Sequence, residues 1–125
     1  MSSESHAVNW AETTERPRFI NPTDAFESVH DLLGRKWHLR IVYHLLEGGP
    51  LGFSDLKGSV EGVSSKMLSE SLSSLDDHGL VAREIVSDQP VRVEYSLTER
   101  GRALEPAVAA LVRWESDYGL ATGDA

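Results

Sequence analysis

The sequence predicts an α+β fold that is mostly α: a winged helix-turn-helix with an added N-terminal helix and a long C-terminal helix. Three observations predict it. Two short helical segments with apolar stripes are separated by the tight turn Glu61-Gly62-Val63. The hydrophobic period switches from helical to alternating just past His78-Gly79. Two β-branched runs then flank Ser87-Asp88-Gln89-Pro90, which reads as a hairpin, and a further helical stripe follows. Two helices joined by a short turn and followed at once by a hairpin is the order of a winged helix-turn-helix.

The elements follow from local signals. Residues 1–18 are polar, with Trp10 the only large apolar side chain, and are expected to form a flexible tail ahead of a domain spanning 19–119. Asn21-Pro22-Thr23-Asp24 starts a helix: Asn21 caps, Pro22 suits the first position, and Asp24 favours the positive end of the dipole. Phe26, Val29, Leu32 and Leu33 fall at helical spacing before Gly34. A second helix is expected from Lys36 to Glu47, apolar on more than one face, and ended by Gly48-Gly49-Pro50. A short helix runs from Ser54 to about Val60. The next begins at Ser64, a good N-cap, and turns Leu68, Leu72 and Leu75 inward. Leu80–Val86 and Val91–Leu97 are the hairpin strands, with Val91, Val93, Tyr95 and Leu97 on the inward phase. Thr98 caps the last helical stretch, which Pro106 should bend or split. Residues 120–125 are small and polar and read as a second tail.

Composition narrows the classes of function. The 125 residues contain no cysteine, which excludes disulfides, thiolate metal sites and thiol redox chemistry within them. No stretch reaches the roughly 18 apolar residues of a membrane span, and the N-terminus lacks the shape of a signal peptide. A cytoplasmic location is therefore expected. No nucleophile elbow, phosphate loop or paired-acid pocket is visible, so neither an enzyme nor a cofactor is expected. The five histidines form no close pair at ligand spacing, and no metal is expected. Net charge is −8, with three lysines among twelve basic residues. Such a surface suits a protein adapted to high salt, where screening relieves self-repulsion, although ordinary acidic proteins share it.

Five segments in order carry a resemblance. They are Asn21-Pro22 with Gly34-Arg35-Lys36-Trp37, then Gly52-Phe53-Ser54-Asp55-Leu56, then Val63-Ser64-Ser65-Lys66-Met67-Leu68-Ser69-Glu70-Ser71-Leu72. His78-Gly79-Leu80-Val81 follows, and then the run from Pro90 to Leu104. Over roughly residues 21–118 the chain resembles the HxlR family of winged-helix regulators. The resemblance implies a regulator that binds double-stranded DNA as a homodimer on a palindromic operator. Asn21 stands where many members of that family carry a sensing cysteine, so thiol sensing does not carry over.

The candidate DNA contacts are Ser64, Ser65, Lys66, Ser69, Glu70 and Ser73 on the outward face of the recognition helix, with Lys57 and Arg92 as backbone contacts. Arg92 flanks the hairpin tip, where it suits phosphate or a narrow minor groove; the competing assignment is a cross-strand pair with Glu84. Lys36 is expected to lay its stem on Trp37 and keep its head in solvent. Trp37, Phe26 and Tyr95 are read as core. The resemblance makes the last helix a dimerisation helix, with Phe26, Val29, Leu111, Trp114 and Tyr118 at the interface. A small apolar pocket between the first helix and the last is a place for a small-molecule effector. One observation favours a different outcome, a protein-interaction module that has lost DNA binding. Between Phe53 and Leu97 four basic residues face eight acidic ones.

Overall fold

The fold is that of a computed structural model, which describes residues 21–120. The expected tail 1–18, and all but Leu120 of the expected tail 120–125, lie outside the described residues. Chain contacts divide the protein into two units, one ending at Asp31 and one beginning at Leu32.

Helix α1, Pro22–Leu33, starts as its local signals require. The Asn21 side-chain oxygen accepts the Thr23 N–H at 2.8 Å, and the helix stops before Gly34. No residue of α1 is buried. Phe26 is 65% exposed, so its assignment to the core is corrected. Amphipathic spacing shows that a stripe exists but not what covers it.

The second unit holds the rest. Helix α2, His38–Gly48, begins two residues later than expected. The chain from Gly34 to Trp37 forms a turn instead, closed by the His38 N–H on the Arg35 carbonyl at 3.3 Å. Gly49, at φ 75°, ends the helix and returns its N–H to the Leu45 carbonyl. Strand β1, Leu51–Gly52, follows, then α3, Phe53–Ser59, and α4, Ser65–Asp77. Strands β2, Val81–Asp88, and β3, Val91–Leu97, form the wing. The sheet is antiparallel in the order β1-β3-β2. Strand β1 was not foreseen. It pairs Leu51 with Tyr95 and Gly52 with Glu94. Two residues carry no period of their own, and this strand exists because β3 offers an open edge. Beyond Thr98 the chain forms α5, Glu99–Arg102, and α6, Glu105–Tyr118. Pro106 thus splits the last helical stretch by occupying the first turn of α6, where its missing N–H costs nothing.

The core gathers Ile41, Val42 and Leu45 from α2, Leu56 from α3, and Leu68, Leu72 and Leu75 from α4. Trp37, Val60, Val63, Leu80, Val81, Leu97 and Val108 complete it. Burial along β3 is graded, unlike the alternation expected for it. Leu97 is buried, Val93 through Ser96 are half-buried, and Val91 is exposed. The hairpin projects from the domain, so distance from the base overrides the pleat.

Candidate nucleic-acid interface

Helix α4 is held by its cap and by its inner stripe. Ser64 takes an extended backbone, and its Oγ accepts the Met67 N–H at 3.0 Å. Such a cap contributes about 1 kcal/mol. Leu68, Ser71, Leu72 and Leu75 are buried. Ser64, Ser65, Lys66, Ser69, Glu70 and Ser73 are all exposed. Lys66, Ser69, Glu70 and Ser73 lie on the side away from that stripe, while Ser64 and Ser65 lie at the N-terminal end of the helix, in line with it. Ser64 therefore has two assignments, since its Oγ already serves the cap. The outward face carries hydroxyls, one ammonium and one carboxylate. It can donate to and accept from base edges, with little net charge of its own.

The wing is tied to the end of α4 through Thr98. The Thr98 hydroxyl donates to the Gly79 carbonyl at 2.6 Å and accepts the Gly101 N–H at 3.0 Å. The Thr98 N–H reaches the Leu80 carbonyl at 3.0 Å. Arg102 Nη1 donates to the Leu97 carbonyl at 2.7 Å. Four hydrogen bonds thus join α4, the wing base and α5 at one corner. Arg92 is exposed and sits opposite Ser87 across the ladder, while Glu84 sits opposite Glu94. Arg92 is thus offset from Glu84, and two carboxylates face each other on the wing stem, which costs stability. Lys57, on α3, is exposed.

A basic group that the sequence reading left out of the site lies at the start of α2. The Lys36 ammonium sits 4.8 Å from the centroid of the Trp37 ring, and the Arg40 guanidinium 5.2 Å from it. Lys36 therefore lays its charge, not only its stem, on the indole. Exposed cation–π contacts of this kind are worth about 0.5–1 kcal/mol each. The spacing of Lys36 and Arg40 around Trp37 was the signal that could have revealed the group. His38 is buried, and its Nδ1–H donates to the Leu32 carbonyl at 2.7 Å, which leaves Nε2 unprotonated in the neutral ring. Burial pushes the His38 pKa below its usual value; the Leu32 carbonyl opposes this, and the nearby Arg35 and His78 add to it.

Phe26 and Val29 on α1, and Leu111, Trp114 and Tyr118 on α6, are all exposed in the single chain. The second unit has a shallow apolar pocket of about 190 Å³ between α2 and α6, lined by residues such as Leu39, Tyr43, Val108 and Leu111. Among the described residues no helix is long and apolar enough to cross a membrane.

Known proteins share this arrangement. Residues 32–122 match the family model of the HxlR-like helix-turn-helix. The chain is 37% identical over 93 residues to the uncharacterised HTH-type transcriptional regulator YvaP of Bacillus subtilis, covering 74% of this chain and 85% of that one. It is 34% identical over 92 residues to the HTH-type transcriptional regulator YodB of the same organism, covering 74% and 81%. Among solved structures it is similar to the redox regulator HypR in its reduced form, with a TM-score of 0.69 and 34% identity, covering 74% of this chain and 91% of that one.

Proposed function

The chain belongs to the HxlR-like helix-turn-helix family of transcriptional regulators, and from that premise we propose that it is a sequence-specific DNA-binding regulator acting as a homodimer on a palindromic operator. The outward face of α4 carries this reading. Lys66, Ser69, Glu70 and Ser73 are exposed opposite the buried stripe, with Ser64 and Ser65 exposed at the helix N-terminus, so a helix of major-groove size presents hydrogen-bonding groups on a rigid support. Lys57 and Arg92 add backbone contacts. Phe26, Val29, Leu111, Trp114 and Tyr118 meet a second copy, because five exposed large apolar side chains are costly in water. Two recognition helices would then reach successive major grooves about 34 Å apart.

HypR is a redox regulator. These 125 residues contain no cysteine, so the present chain takes its signal by another route than a thiol of its own. A small apolar effector seated in the pocket between α2 and α6 would act on α4 through α2, whose opposite face, with Ile41, Val42 and Leu45, packs in the core with the α4 leucines. The location is cytoplasmic, as regulation of DNA requires. The charge of −8 suits a solvent rich in salt; a melting temperature that rises with molar KCl supports this, and a flat or falling one refutes it.

Footprinting on the promoter region of the protein's own gene tests the main reading. A protected palindrome is expected, weakened by Lys66→Ala and by Arg92→Ala. No protection at any salt concentration, with a basic protein partner recovered instead, favours the interaction-module reading that the acidic 53–97 segment suggests.

A further inference from the structure

We propose that the start of α2 is a second DNA-contact edge, in which Arg35, Lys36 and Arg40 hold backbone phosphates flanking the groove entered by α4. This rests on the regulator reading and supplies contacts which that reading lacks. Four cations against eight carboxylates between Phe53 and Leu97 leave α4 and the wing net negative, facing a polyanion. The deficit is met from outside that segment.

Arg35, Lys36 and Arg40 are all exposed. Lys36 and Arg40 are stacked on Trp37, which is itself buried and cannot drift. The far edge of the indole packs toward Gly62 in the turn just before α4. On its other side a notch of about 340 Å³ runs from Arg35 and Lys36 to Met67, Glu70 and Ser74 of α4. At 3.6 residues per turn, that stripe borders the outward stripe of Lys66, Ser69 and Ser73. Arg35 and Lys36 therefore stand beside the outward face of α4, where the strand bordering a filled major groove passes, and Arg40 is tied to them through the indole they share. Glu70 offsets one of the two cations on the notch rim, and Arg40, on the Trp37 ring and at the rim of the pocket between α2 and α6, adds a further positive charge.

The turn that presents these groups is held from both ends by one residue. The His38 N–H binds the Arg35 carbonyl, and its ring binds the Leu32 carbonyl. The cations are thus placed before DNA arrives, and little ordering remains to be done on binding. Contacts of this type carry no base code, so they should strengthen binding to every sequence alike.

The test uses the full chain with Arg35→Gln, Lys36→Gln and Arg40→Gln. Each is titrated against a mixed-sequence duplex and against promoter DNA, with KCl varied from about 50 to 200 mM. Arg35→Gln is expected to melt like the parent, and Lys36→Gln and Arg40→Gln to melt a few degrees lower for the lost contact with Trp37. Each is expected to weaken binding to both DNAs by the same factor and to lower the salt slope by about 0.9. Where Lys36→Gln melts lower, Lys36→Arg must restore the slope; a slope that stays low overturns the assignment. Unchanged slopes in all three variants, while Lys66→Gln and Arg92→Gln lower theirs, remove this edge and leave the regulator reading intact. Loss confined to promoter DNA overturns the phosphate assignment. A parent chain that retains neither DNA removes the regulator reading and the edge with it.

Discussion

Gly101→Ala probes the corner that joins the recognition helix to the wing. Gly101 is buried in α5, and a Cβ built on it falls inside the contact distance of the Leu80 carbonyl oxygen, and 3.1 Å from Leu97 Cδ2. That oxygen has no room to retreat, because it accepts the Thr98 N–H, and the Thr98 hydroxyl is bound to the neighbouring Gly79 carbonyl. Alanine must therefore push α5 off the strand base. Overpacking of this kind costs about 1–3 kcal/mol. Two lost hydrogen bonds add roughly 1 kcal/mol each. The better helix propensity of alanine returns about 1 kcal/mol. The net loss is about 2–4 kcal/mol. For a domain of about 100 residues, that lowers the melting temperature by at least roughly 8 °C. Thermal unfolding followed by circular dichroism reads it directly. An unchanged or raised midpoint would show that α5 slides freely, and would refute the close-contact reasoning.

Other outcomes follow from the same geometry. Ser64→Ala should cost about 1 kcal/mol by removing the α4 cap, whereas Ser64→Asp should keep the cap and the stability but weaken DNA binding by repelling phosphate; equal binding by parent and Ser64→Asp would place Ser64 away from DNA. His38 has its pKa lowered by burial in the folded state, so the unfolded chain takes up its proton first as the pH falls. Its contribution to stability is complete above the unfolded pKa of about 6.5, and is lost below that at up to about 1.4 kcal/mol per pH unit until the folded pKa is reached. Urea midpoints of the parent should fall more steeply than those of His38→Gln as the pH drops below about 6.5, and parallel curves would contradict the assignment. Trp114→Asp, at a site 59% exposed in the single chain, should leave the monomer folded and abolish the dimer in light scattering. A dimer that persists would put the interface elsewhere.

Local chemistry accounts for how much of the fold could be read in advance. The caps at Asn21, Ser64 and Thr98 act on N–H groups two or three residues away, and all three form as expected. Pro106 has the split effect its missing N–H demands, and the inward leucines of α4 follow from period alone. Such signals work within one helical turn, so the amino-acid order by itself determined the helices, the hairpin and the outward face of α4. Features that depend on what a segment meets were out of reach. Strand β1 needed the open edge of β3. The exposure of Phe26 and Val91 depended on what surface reaches α1 and how far the wing projects. The cation cluster on Trp37 required α2 to begin at His38, with the indole wedged toward Gly62. Only the tertiary structure brought Arg35 and Lys36 alongside α4, because residues some thirty positions apart in the chain become neighbours through packing and not through period.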